Sequence, residues 1–219
     1  MFSTCMKDTV RFFLTHWWKL ALIVVPLNLM GELMRGAFSP TAADSLQTGG
    51  FGLYITVVIL VSIIASVATI QYIDSSIKAA PLSVTQSWLL AVTKLPGYLV
   101  LSLLSILAVA AGLLVFIIPG IVVMVRISLA SYIYLLENRS AKESIKESWE
   151  LTRGHFGDLF FGTILLAIPG GVLGYVVAGS ADPIDSSLQA VVASSVEMFF
   201  GVLLTVFYYR VYSYLKGGV

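Results

Sequence analysis

Charged residues divide this chain into long apolar windows. Lys19 to Arg35 brackets a short first window. Uncharged stretches then run from Ser45 to Ile73, from Leu95 to Val125 and from Leu159 to Ala181. A last one, Ser186 to Tyr209, is broken only by Glu197. A helix that crosses a bilayer needs about 20 mainly apolar residues. The window beginning at Leu95 continues past Arg126 to Leu136, about 40 residues, which is too long for one crossing and right for two. Phe116-Ile-Ile-Pro-Gly120 lies at its middle, and Pro-Gly marks a tight turn. The pattern predicts six spans, at 18–36, 50–73, 97–117, 119–136, 157–179 and 187–209. The predicted fold is all-α, a polytopic membrane helix bundle in one domain over 1–219.

The segments ahead of spans one, three and five share a pattern. Met6-Lys-Asp-Thr-Val-Arg-Phe12, Val84-Thr-Gln-Ser-Trp-Leu-Leu90 and Ile145-Lys-Glu-Ser-Trp-Glu-Leu151 align without gaps. Each has an apolar stripe at helical spacing, the mark of an amphipathic helix. This predicts three parallel repeats, 1–73, 78–136 and 138–215, each an interfacial helix followed by a transmembrane hairpin.

Composition agrees with a membrane protein. The chain is 58% hydrophobic and 11% charged, with a mean hydropathy of +0.93. Soluble domains carry about 25% charged residues, so a soluble enzyme, a disordered chain and a disulfide scaffold are excluded. A net charge of +1 gives no attraction for nucleic acid. The single Cys5 forbids an internal disulfide, and His16 and His155 are far apart, so no metal or other cofactor is expected. The basic N-terminal stretch leads into Glu32 and Arg35 with no small-residue cleavage site, which reads as a retained first span.

Positive charge orients the bundle. The N-terminus, the 74–96 and 137–157 loops and the C-terminus hold 11 of the 13 basic residues. Both termini are therefore expected in the cytoplasm. Tyr72, Tyr132, Tyr134, Tyr208, Tyr209, Tyr212 and Tyr214 gather at the same predicted boundary, as in an aromatic belt.

Phe116-Ile-Ile-Pro-Gly-Ile-Val-Val-Met-Val-Arg126 and Ala141-Lys-Glu-Ser-Ile-Lys-Glu-Ser-Trp-Glu-Leu-Thr-Arg153 resemble the YciC-type family of uncharacterised bacterial inner-membrane proteins. They are also similar to the membrane domain fused to some glycerophosphodiester phosphodiesterases. The resemblance implies a multi-pass protein of the bacterial cytoplasmic membrane. It brings no catalytic residue, since the phosphodiesterase domain has no counterpart here.

Several residues invite a functional reading. Arg126 and Glu197 lie deep within spans, where charge is costly unless paired or hydrated. They form either a buried ion pair or a hydrated midplane cavity. Pro169-Gly170-Gly171 is expected to interrupt span five, either to contact a solute or to pack closely. Trp88, Arg139, Lys142, Lys146, Trp149 and Arg153 make an interfacial docking set. Interleaved acidic residues give 137–158 a net charge of −1, which argues against a polybasic lipid clamp. No nucleophile–base pair, P-loop or dinucleotide fingerprint appears. The expected function is a non-enzymatic scaffold or partner of lipid or envelope machinery, in contact with the bilayer and with other envelope proteins. The alternative is a small permease or channel, working as a homo-oligomer around Arg126 and Glu197.

Overall fold

The computed structural model describes residues 2–38, 50–179 and 186–217. Among them are eight helices and no strand: α1 (Phe2–Phe38), α2 (Gly50–Ile77), α3 (Val84–Val115), α4 (Ile117–Arg126), α5 (Ala130–Glu137), α6 (Ala141–Leu151), α7 (Phe156–Gly179) and α8 (Ser186–Leu215). Six segments are long and apolar enough to cross a membrane: α1, α2, α3, α4 with α5, α7 and α8. The chain is a multi-pass membrane protein with an all-α fold. Call the end where α2, α5 and α8 finish the charged end, and the opposite one the hairpin end.

Local chemistry sets the boundaries. Ser83 and Gln86 form a reciprocal capping box at the start of α3, and Ser140 with Glu143 does the same for α6. Asn138 takes a left-handed conformation, φ 53°, to end α5. Gly154, at φ 84°, turns the chain between α6 and α7, a conformation that disfavours any side chain.

The predicted interfacial helices take two forms. In the first two units the amphipathic segment is the opening part of the span helix, because nothing between Phe2 and Phe38 or between Val84 and Val115 stops the helix. Only α6 stands apart, separated by the Gly154 turn. The three hydroxyls that the alignment places at one position, Thr9, Ser87 and Ser148, are all fully buried.

The hairpin of spans three and four closes as Pro119-Gly120 predicts. One extended residue, Phe116, joins α3 to α4. A Cβ on Gly112 would lie 2.9 Å from Gly120 Cα, so the two backbones touch there. Pro119 has no N–H to leave unsatisfied at the start of α4.

Two expectations are corrected. Tyr72, Tyr132, Tyr209 and Tyr212 are buried in the core and not arrayed as a belt. Three of their hydroxyls tie helices together: Tyr209 donates to Asp74 at 3.0 Å, Tyr212 to Glu137 at 2.8 Å, and Tyr132 to the Thr205 carbonyl at 2.9 Å, whereas the Tyr72 hydroxyl is buried with no partner among the described residues. Inside a bundle those links satisfy polar groups that have no water to meet. Second, α7 is unbroken through Pro169. Gly170 instead makes room for Phe200, and Gly162 for Phe207. This is the close-packing use of small residues.

Candidate functional site: an intramembrane cavity

The α1 helix packs on both α2 and α8, while α2 and α8 meet each other less. The gap between them is a cavity of about 350 Å³. Every lining residue lies within a membrane-spanning segment. On α2, Ser62, Ser66 and Thr69 stand at i, i+4 and i+7, one face of a helix. On α8, Ser194, Glu197, Gly201 and Thr205 share a face in the same way. On α1, Asn28 and Glu32 are four apart. From Tyr54 to Thr69 the lining follows α2 for roughly 22 Å at ~1.5 Å per residue.

The hydroxyls are internally committed. Ser66 donates to the Ser62 carbonyl at 2.8 Å, Thr69 to Ala65 at 2.7 Å and Thr205 to Gly201 at 2.9 Å. Asn28 donates to Ser194 Oγ at 3.2 Å, which itself donates to the Val191 carbonyl at 3.1 Å. No ion pair or hydrogen bond joins Glu197 to another described residue. Its side chain lies over Gly174 of α7, where a Cβ would come within 2.7 Å of Oε1.

Arg126 is elsewhere, and the expected ion pair with Glu197 is absent. The backbone explains why. At the break after α4, the Ala130 amide donates to Ile127 and not to Arg126. The freed Arg126 carbonyl accepts from Ser148 at 2.8 Å and Thr152 at 3.2 Å, both on α6. The guanidinium lies 5.5 Å from the Trp149 ring centroid and donates to the Trp149 carbonyl at 3.3 Å. A cation there faces the unsatisfied carbonyls of the α6 C-terminus. Arg126 is thus a structural clamp on α6.

The docking set divides. Trp88 is turned inward, its indole N–H donating to the Ile23 carbonyl at 3.1 Å. Arg139 sits 3.8 Å from Glu137 and 3.7 Å from Glu147. Lys216 pairs with the same two carboxylates, at 2.9 and 2.5 Å. Lys142, Lys146, Trp149 and Arg153 remain exposed, at i, i+4, i+7 and i+11 along one face. Glu143, Glu147 and Glu150 fall on the adjacent face, so the net charge of the segment concealed its two-sidedness. Ser144, Ser148 and Thr152 make the buried face.

Burial works against the Lys216 ammonium, but hydrogen bonds to Glu147 and Glu137 raise its pKa above the ordinary lysine value. Hydrogen bonds from Ser140 hold the Glu143 carboxyl below its ordinary range. Among the described residues no group of His, Cys, Asp and Glu is placed to hold a metal ion.

Sequence spacing missed the α2 hydroxyl stripe, although Ser62, Ser66 and Thr69 at helical intervals were the available signal.

Residues 51–214, from the first turn of α2 to the end of α8, match the uncharacterised protein family UPF0259. The chain belongs to the UPF0259 family. No curated protein and no solved structure matches it. The UPF0259 match takes in α2 and α8, two of the three cavity walls, together with Glu197 and the whole Arg126–α6 clamp.

Proposed function

We propose that this UPF0259 protein is a small permease or channel whose α1–α2–α8 cavity receives a polar solute. The observation that carries this reading is Glu197: a carboxylate within a membrane-spanning helix, at the edge of a hydroxyl-lined cavity, with no partner among the described residues. A charge at such a depth is costly unless it is paired or hydrated. Water or a solute in the cavity supplies what the protein does not. Arg126 has no part in this version, since α6 occupies it.

The same reading has the protein in the bacterial cytoplasmic membrane with both termini inside. The distribution of Lys and Arg supports that orientation, and the YciC-type resemblance supports that membrane.

Glu197→Cys in a Cys5→Ser background tests the reading. A small charged thiol reagent is expected to label position 197 in the folded protein. Silence at 197, with the fold retained, overturns the aqueous cavity.

A second reading, the envelope scaffold, draws on the exposed Lys142, Lys146 and Trp149 of α6 with Arg153 in the turn after it. It expects a photocrosslinker at position 146 to capture one defined membrane protein in cells, and Arg153→Glu to abolish that adduct.

A further inference from the structure

We infer that the cavity takes a small organic cation, an amine whose N–H groups meet Glu197 and the neighbouring hydroxyl oxygens while its hydrocarbon part rests on the apolar wall. This rests on the reading of the cavity as a solute site and adds the class of solute.

Charge gives the sign. Glu197 and Glu32 both line the cavity, and no Lys, Arg or His does among the described residues. A bound cation would neutralise Glu197, which has no ion-pair or hydrogen-bond partner among the described residues.

Hydrogen-bond polarity agrees independently. A hydroxyl has one proton and two lone pairs. Ser66, Thr69 and Thr205 each spend that proton on a carbonyl of their own helix, at 2.8, 2.7 and 2.9 Å. They offer lone pairs to the cavity. A phosphate or a carboxylate, which only accepts, would find few protons here. An ammonium group, which only donates, finds acceptors on both walls.

Size and wall chemistry favour a small organic molecule over a bare ion. A water molecule occupies about 30 Å³ of liquid, so a cavity of about 350 Å³ holds a molecule of several heavy atoms. Val24, Val58 and Val202 add apolar wall from all three helices. A mainly apolar pocket with a few convergent polar groups is the usual design for a small molecule.

The test compares three isosteres on the full chain in nanodiscs: n-butylammonium chloride, sodium butyrate and n-butanol, at matched ionic strength. Thermal unfolding is followed by intrinsic fluorescence. A saturating amine is expected to raise Tm by about 2–4 °C, as a ligand that binds only the folded state does. Butyrate and butanol are expected to give no rise. Glu197→Gln is expected to abolish the amine's effect, and Thr69→Val with Thr205→Val to reduce it. An equal rise from butanol or butyrate overturns the inference, and so does an undiminished rise in Glu197→Gln. If Glu197→Gln does not fold, the three-ligand comparison on the unmutated chain still decides. Labelling at position 197 without amine selectivity would retain the solute cavity and remove the cation; no labelling would remove both.

Discussion

At Arg126 one carbonyl accounts for a charge that looks misplaced in an apolar span. The break after α4 strips that carbonyl of its helical donor, and two α6 hydroxyls replace it. The guanidinium then meets the C-terminal turn of α6. Hydrogen bonds to charged groups contribute about 1.5–3 kcal/mol. Arg126→Gln is therefore expected to lower Tm and to speed amide exchange across 141–152. Ser148→Ala alone leaves Thr152 on the carbonyl. Ser148→Ala with Thr152→Val leaves it bare and buried, and is expected to cost more than the sum of the two single changes, measured in a double-mutant cycle. Exchanging the charges of Arg126 and Glu197 is expected to rescue nothing, because Arg126 is held by α6 and Glu197 faces the cavity with no partner among the described residues. None of this was legible from spacing. A charge deep in a span announces a cost, but its remedy here is a backbone group exposed by a local break, and backbone breaks leave no residue type behind.

Helices carry the next set of expectations. On α7, a Cβ at Gly162 would stand 2.2 Å from the fully buried Phe207 ring, whereas Gly171 has nothing within 4 Å. Gly162→Val is expected to destabilise by about 1–3 kcal/mol, the cost of overpacking. Gly171→Ala is expected to be neutral or slightly stabilising, because Gly in a helix interior costs roughly 0.5–1 kcal/mol relative to Ala; Tm of the two variants separates them. On α6, the Glu143 carboxyl is held low by Ser140. A depressed carboxylate adds stability above its unfolded pKa, near 4.3, and loses it as pH falls through the folded value. Protection of the α6 N-terminus from amide exchange is expected to weaken below about pH 4. For Lys216 the sign reverses: its raised pKa gives stability that is complete below about pH 10.4 and is lost as pH rises through the folded value. The spans themselves were legible because a run of about 20 apolar residues has few other uses. The merging of interfacial segments into α1 and α3 was not, since an amphipathic face and a lipid face can follow one another on a single unbroken helix.

For the molecule as a whole, the cavity exists because α1 holds α2 and α8 apart at a place where all three present polar faces. Each face could be read from its own helix. Which faces meet is a property of packing, and a single chain does not spell it out. The charged end works in the other direction and draws the helices together. Tyr209–Asp74, Tyr212–Glu137 and Lys216 with Glu137 and Glu147 link α8 to α2, α5 and α6. Removing that clasp by Tyr212→Phe with Lys216→Ala is expected to loosen α8 and to increase thiol labelling at position 197 if the cavity opens along the α2–α8 seam. Reporter fusions at either terminus are expected to register on the cytoplasmic side.

The single-residue joint at Phe116 bears on how the protein is made. No charged residue lies between Lys94 and Arg126. The insertion machinery therefore has nothing ionic to carry across when this hairpin enters the lipid, and the helical pair goes in as one greasy wedge. Its entry is expected to proceed equally well in energised and de-energised vesicles.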